Sequence, residues 1–399
     1  MNLTERVRAI EPEIYDVFCR IHRHPELGHQ ERETSALLER ELTQKAEADR
    51  IIRVAETGLL VELRGTKPGR EKRLGLRADI DALPIQEPCD REPHSEIEGV
   101  MHACGHDAHA SILLGAVRTL AAYRNRFSGS IFFFFQPAEE PLTGAKAYLA
   151  DPAVDLTGVK DVAALHVLPD LPAGQIGIRR GPMLGGANDL IITIRGKQGH
   201  ASKPNEAIDP IAPAAAIIQA LQHVVTKELH PADPAVISIN SIHSGVEGLK
   251  IIPGELRMTG SVKTLSPQTR AYLLERIPAL CEGIAASMRC EADVVLSGGP
   301  PPLICDPEWT ARAQRVGEML FGAENVRDLP LPSLCSEDFS YFMEGRRGVF
   351  VRIGSREPAE PYGATHNPAF RVARGALTTG MLTLCGLALD FFGVANWTE

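Results

Sequence analysis

The chain has 399 residues, 44% of them apolar and 23% charged, with a formal net charge of -9 at pH 7. Such a composition is globular, which excludes a disordered or fibrous chain, and the length exceeds the roughly 100 to 200 residues of one ordinary domain, so two packed units are expected. Acidic and basic residues are mixed along the whole length with no basic stripe to neutralise phosphates, so nucleic acid is not an expected partner.

In chain order, Val7, Ile10, Ile14, Val17, Phe18 and Ile21 repeat at helical spacing and residues 31–42 do so again, which predicts two helices before the first strand. Residues 73–80, 129–135 and 162–168 are short apolar runs bounded by polar or turn residues, as in strands buried on both faces, and 108–123 reads as a helix between the first two. That alternation predicts an α/β layer sandwich. From about Asp189 the texture changes to a strand (190–195), a helix (209–228), two strands (235–242, 255–263), a helix (267–288) and a last strand (292–297). This βαββαβ order predicts an inserted ferredoxin-like unit. After Gly298-Gly-Pro-Pro-Pro302 the α/β texture resumes with a helix from about Trp309, a strand at 348–353 and an apolar helix at 373–392. The first domain is therefore expected to be discontinuous, 1–187 and 299–399, around an insert of 188–298.

No apolar run is expected to reach the ~18 to 20 residues of a membrane helix, and Met1-Asn-Leu-Thr-Glu-Arg6 lacks the basic start and apolar stretch of a leader. The eight cysteines are scattered singly rather than paired by spacing. A cytoplasmic location with reduced cysteines and no membrane partner is expected.

His102-Ala-Cys-Gly-His-Asp-Ala-His109 packs three histidines, a cysteine and an aspartate into eight positions. A thiolate and an imidazole two residues apart reach one metal if the backbone turns, and Gly105 permits that turn. The apolar spacing of Ile112, Leu113, Ala116, Val117 and Leu120 puts the cluster at a helix start, where aligned peptide dipoles are expected to lower a thiol's pKa. Taken alone, the cluster also suits buried core residues, or a Cys104 nucleophile beside a histidine. Gln136-Pro-Ala-Glu-Glu140 stands at the carboxyl end of a predicted strand, where ligand sites form in α/β sheets. On extended backbone Glu139 and Glu140 would point in opposite directions, one to a cation and the other to a water, and the cation would relieve their repulsion. A solvated acidic turn is the other reading, but it fits poorly beside four consecutive Phe. His166 ends an apolar run and is a core histidine or a ligand. Asp79 and Asp81 follow a third apolar strand and are ligands or groups that orient an imidazole.

Together these segments resemble the amidohydrolase branch of the metallo-aminoacylase and carboxypeptidase family, which includes hippurate hydrolases, N-acetyl-diaminopimelate deacetylases and auxin-conjugate hydrolases. The resemblance covers nearly the whole chain. It runs from His22-Arg-His-Pro-Glu-Leu27 through Ala78-Asp-Ile-Asp-Ala-Leu-Pro84, the Cys-Gly-His-Asp-Ala-His block, Gln136-Pro-Ala-Glu-Glu140 and His166. It continues in Gly199-His-Ala201 with Asp209-Pro-Ile211, Ser336-Glu-Asp-Phe339 and Thr365-His-Asn-Pro368.

The resemblance implies a catalytic α/β sandwich interrupted by a ferredoxin-like lid and dimerisation domain. It implies two divalent ions, Mn²⁺ or Zn²⁺ with Co²⁺ or Ni²⁺ also compatible, held by Cys104, His106, Glu140, His166 and His366. Glu139 would be the general base that takes a proton from a metal-activated water and passes it to the leaving amine, and Asp81 would orient a ligand. His200, on the lid, would hold the developing oxyanion, in many members across a dimer interface, so a homodimer or higher homo-oligomer is implied. The reaction implied is hydrolysis of the amide of an N-acyl or N-aroyl amino acid or a similar small conjugate.

Two departures bear on substrate. Lys250 stands where the family usually has Asn before the Ile-Ile-Pro253 step, and would pair with an anionic group of the substrate or be a solvated lysine. Gly185-Gly-Ala-Asn-Asp189 replaces the usual entry into the lid. Lys250 keeps open hydrolytic deamination of an aminoaromatic acid on the same site. A non-catalytic binding protein would have no need of Glu139, and a cysteine hydrolase using Cys104 would need no metal.

Overall fold

A computed structural model describes residues 1–245, 249–357 and 363–398; residues 246–248, in the segment that carries Lys250, lie outside them. Helices α1 (Leu3–Arg23) and α2 (Arg32–Lys45) open the chain. Asn2 caps α1, its side chain accepting the Glu5 N–H while the Glu5 carboxylate accepts the Asn2 N–H. There follow β1 (Arg50–Val54), β2 (Gly58–Thr66), β3 (Lys72–Asp79), α3 (His106–Ala121), β4 (Ser128–Gln136), α4 (Gly144–Ala150), β5 (Asp161–Pro172), β6 (Ile176–Ile178) and β7 (Gly181–Leu184). Next come β8 (Gly186–Arg195), β9 (Gly199–His200), α5 (Ile211–His223), β10 (Ala235–Ser244), β11 (Ile251–Ile252), β12 (Glu255–Thr264), α6 (Pro267–Ser287) and β13 (Glu291–Leu296). The chain closes with β14 (Leu303–Cys305), α7 (Pro307–Phe321), β15 (Val326–Asp328), α8 (Phe339–Met343), β16 (Arg347–Arg356) and α9 (Arg374–Phe392).

Two compact units result: Met1–Gly181 with Ile304–Leu331 and Asp338–Glu399, and Pro182–Leu303 with Pro332–Glu337. The boundaries differ by a few residues from those read in the sequence, and the smaller unit also takes in 332–337. Backbone contacts place that segment there: the Gly185 N–H donates to the Cys335 carbonyl (2.8 Å), and Ser333 bridges Leu184.

The larger unit is built on one mixed sheet in the order β1-β2-β4-β3-β5-β16-β6-β15. Its centre, β4-β3-β5-β16, is parallel, and Leu74, Leu76, Phe133, Phe134, Ala164 and Phe350 there are fully buried, as helix-covered parallel strands require. Phe134 packs against Tyr148 of α4 and Phe342 of α8. The β1–β2 hairpin is not announced by the sequence, because its turn places Ala55 and Glu56 at φ 48° and 65° instead of using the Asn-Gly or Asp-Gly pairs that signal a hairpin.

Contrary to the sequence reading, α9 is long and apolar enough to pass as a membrane span by length and composition. Thr379, Gly380, Thr383 and Gly386 interrupt its apolar run without making it polar. It is a core helix: Leu377, Met381, Leu384, Cys385 and Leu387 are fully buried, and it packs on α1, α3 and α7.

In the smaller unit an antiparallel sheet runs β10-β12-β8-β13. In chain order the sheet reads second, third, first, fourth strand, with α5 and α6 as the two crossovers, which is ferredoxin-like topology. Alternate residues Leu190, Ile192 and Ile194 of β8 point into its core and meet Ile217 and Leu221 of α5 and Leu273, Ile277 and Cys281 of α6. Strands β9 and β11 form a separate ladder that pairs His200 with Ile251.

Candidate metal centre

Because β3, β4 and β5 run parallel, their carboxyl ends deliver side chains to one edge of the sheet. Asp79 ends β3 with Asp81 just beyond, and Gln136 ends β4 before Glu139 and Glu140. His166 lies within β5, not at its end, since the strand continues to pair with β16 as far as Pro172. Cys104 and His106 flank Gly105, the N-cap of α3, at φ +87°. A Cβ on Gly105 would lie 2.6 Å from Val167 Cγ2, so both its backbone conformation and its space call for glycine. His366 has φ +63°, and its N–H donates to the Ala103 carbonyl (2.8 Å), tying its turn to the Cys104 segment.

These side chains meet. Cys104 Sγ is 3.3 Å from His166 Nε2, and the His166 Nδ1–H donates to the Val167 carbonyl (2.7 Å), leaving the Nε2 lone pair towards the thiol. His106 Nδ1 bonds Asp81 Oδ1 (3.0 Å), so its Nε2 faces Glu139 Oε2 (4.0 Å) and Glu140 Oε1 (3.9 Å). Glu140 Oε2 is 3.4 Å from His366 Nε2. The ligand atoms of Cys104, His106 and His166 lie within 4.8 Å of one another, and so do those of Cys104, Glu140 and His366. Cys104 is common to both groups.

The centre fits divalent ions. His106 Nε2 and Glu140 Oε1 are buried without a hydrogen-bond partner among the described residues, an arrangement that is costly unless a cation takes them. A thiolate, three imidazoles and a carboxylate form a donor set suited to divalent transition metals.

Electrostatics point the same way. Burial opposes the charged form of His106, yet Asp79 and Cys104 beside it hold its pKa well above the ordinary value, so this spot stabilises positive charge at Nε2. Burial, then Arg352, keeps His166 well below the ordinary histidine range, neutral as a ligand must be. The thiol of Cys104 is pushed up to about 12 by burial. This overturns the expectation that the helix start lowers it, because desolvation outweighs the dipole at a buried site. A thiol so held is a poor free nucleophile.

A second expectation also fails. Glu139 and Glu140 are not on extended backbone; they sit in a turn closed by the Leu142 N–H donating to the Glu139 carbonyl (2.6 Å). Both carboxylates therefore approach the same His106 nitrogen instead of diverging. Nor is it a solvated turn, since Glu139 is 6% exposed.

Several supporting residues escape the sequence reading. Both nitrogens of His109 are committed, Nδ1 to Asp79 Oδ1 (2.5 Å) and Nε2 to the Val167 N–H (2.9 Å), so His109 is a support and not a ligand. Arg77, fully buried, donates to Asp79 (2.7 Å), Gln136 (2.8 Å) and Asp338 (3.0 Å). Asp81 Oδ2 accepts the Glu140 N–H (2.9 Å), and Glu31 accepts the Ala138 N–H (2.7 Å). Asp79, Asp81, His109 and Asp338 stand in segments already quoted from the sequence, whereas the signal for Arg77 was a charge inside a strand buried on both faces, which must be paired.

His200 and Lys250 belong to the smaller unit and are exposed there. Lys250 immediately precedes β11, whose Ile251 pairs with His200, and the Ala201 N–H donates to the Lys250 carbonyl (3.1 Å). The Ser202 N–H donates to His200 Nδ1 (3.1 Å), so the neutral ring carries its proton on Nε2.

Comparison with known proteins gives a consistent picture. A family model described as "Peptidase family M20/M25/M40" matches residues 75–390. The IAA-amino acid hydrolase ILR1-like 2 of Arabidopsis thaliana is 34% identical over 391 residues, covering 96% of this chain and 87% of that protein. The N-acetylcysteine deacetylase of Bacillus subtilis is 35% identical over 369 residues, covering 92% and 94%. The crystal structure of the Bacillus subtilis YXEP protein, described as a dinuclear metal binding peptidase from M20 family, matches with a TM-score of 0.81 at 32% identity, over 97% of this chain and 99% of that one.

Proposed function

The chain belongs to peptidase family M20/M25/M40, and on that premise we propose that it hydrolyses the amide of an N-acyl or N-aroyl amino acid, or a similar small conjugate, with two divalent ions. The observation that carries this reading is the pair of orphaned buried atoms on His106 and Glu140 at the junction of two ligand groups. Cys104, His106 and His166 would hold one ion, and Cys104, Glu140 and His366 the other. Bound there, the ions would polarise the scissile carbonyl and lower the pKa of the attacking water. Asp81 keeps the proton of His106 on Nδ1 and so frees Nε2 for coordination. Glu139 removes the proton from the attacking water and returns it to the leaving amine. His200 donates its Nε2–H to the developing oxyanion. Lys250, just before β11, pairs with an anionic group of the substrate.

Two relatives are named for substrates that join a second group to an amino acid, which supports the substrate class. Eight free cysteines support a reducing, cytoplasmic location. Val236 and Ile242, exposed on the edge strand β10, support a homodimer formed through the smaller unit.

The test is Glu139→Gln, assayed on N-acetyl and N-benzoyl amino acids with metal content measured in parallel. Turnover is expected to fall by roughly 10² to 10⁴ with both ions retained. Near-normal turnover removes Glu139 as the base. Ammonia release from an aminoaromatic acid, with no turnover of acyl amino acids, replaces amide hydrolysis by deamination.

A further inference from the structure

We propose that Arg91 is a positioning residue for His366, acting through the backbone of the turn that carries it; the inference rests on the two-ion reading above. The His366 side chain is 54% exposed, whereas Cys104, His106 and His166 are buried, so packing cannot fix this ligand. Besides its contact with Glu140, its backbone turn is held from outside. The turn is closed by the Phe370 N–H donating to the Asn367 carbonyl and the Ala369 N–H donating to Asn367 Oδ1, both at 2.9 Å. That geometry brings the carbonyls of Pro368, Ala369 and Phe370 together on one side of the turn, within reach of a single donor group.

One guanidinium serves all three. Arg91 Nη2 donates to the carbonyls of Pro368 (2.9 Å) and Phe370 (3.0 Å), and Nη1 donates to that of Ala369 (3.5 Å). The fork is itself aimed by Glu87, whose Oε1 accepts from Nε (3.2 Å) and Nη2 (3.0 Å). Glu87 is 4% exposed, and it also accepts the Ser95 N–H (2.8 Å). A planar fork with five donors can span three carbonyls and a carboxylate; an ammonium is a single point charge and cannot. Arg91 thus ties the loop between β3 and α3 to a turn 278 residues further on.

The ion held by Cys104, Glu140 and His366 depends on this clamp through His366, whereas His106 and His166 are oriented by Asp81 and by the Val167 carbonyl instead. The test measures metal bound per chain, by dialysis against Mn²⁺ or Zn²⁺ and elemental analysis, for wild type, Arg91→Ala and Arg91→Lys. Circular dichroism establishes equal folding. Wild type is expected to hold two ions. Both variants are expected to keep the first and to bind the second roughly 10- to 100-fold more weakly. Millimolar guanidinium, but not methylammonium, should restore the second ion to Arg91→Ala. Retention of both ions at wild-type affinity overturns the inference, and so does parallel weakening of both, which would mark a merely structural role. A wild-type chain that binds fewer than two ions overturns the two-ion reading and takes this inference with it.

Discussion

Two histidines close to the centre oppose each other in their response to pH. His102 is 1% exposed, neither ring nitrogen has a hydrogen-bond partner among the described residues, and burial pulls its pKa down to about 4. The unfolded chain takes up that proton near the ordinary 6.5 and the folded chain only near 4. Stability is therefore intact above 6.5 and falls, by about 3 kcal/mol at most, as pH drops from there to 4. His22 behaves in the opposite way: burial opposes its charge, but Asp107 at 2.6 Å and Glu87 raise its pKa to about 9. Its contribution is complete below 6.5 and is lost as pH rises through 9. Urea unfolding across that range should give a maximum near neutrality, and His102→Leu should flatten the acid limb. An unchanged acid limb in that variant would remove His102 as its cause. None of this was legible in the sequence, where His22 and His102 look alike. Which histidine is paired with carboxylates and which is left without a partner depends on neighbours far away along the chain.

At the scale of elements, the start of α3 is the most constrained part of the centre. Gly105 at φ +87° faces Val167 on β5, the strand that also carries His166. Gly105→Ala is expected to cost about 2 kcal/mol through the left-handed backbone and the clash together, and to lower metal affinity because Cys104 and His106 flank the shifted residue. Pairing it with Val167→Ala removes the clash and should recover part of both losses in thermal melts and metal titrations. A double variant no better than the single one would show that the clash is not the cause. Spacing alone disclosed the turn at Gly105, because a thiolate and an imidazole two residues apart need one. The β1–β2 hairpin was silent because Ala55 and Glu56 carry no turn signature, and the Glu139 turn was misread because Pro137 and the strand before it suggest extended backbone.

For the whole molecule, the candidate ligands come from segments as far apart as Cys104 and His366 yet lie in one compact unit. A saturating cation should therefore stabilise that unit by linkage, about 2.7 kcal/mol at a hundred times the dissociation constant. The smaller unit has its own core and holds none of the five candidate ligands named above, so calorimetry should show one transition moving with added metal and the other standing still. Equal shifts in both would sink that division. By itself the sequence determined the α/β character, the inserted βαββαβ unit and the residue types of a metal centre, because apolar periodicity and ligand chemistry are local properties of the chain. Tertiary structure alone decided that burial raises the pKa of the Cys104 thiol, that Glu139 and Glu140 converge, that His109 supports and does not ligate, and that Arg91 grips the His366 turn. Each of these depends on burial, or on a partner that chain order does not place nearby.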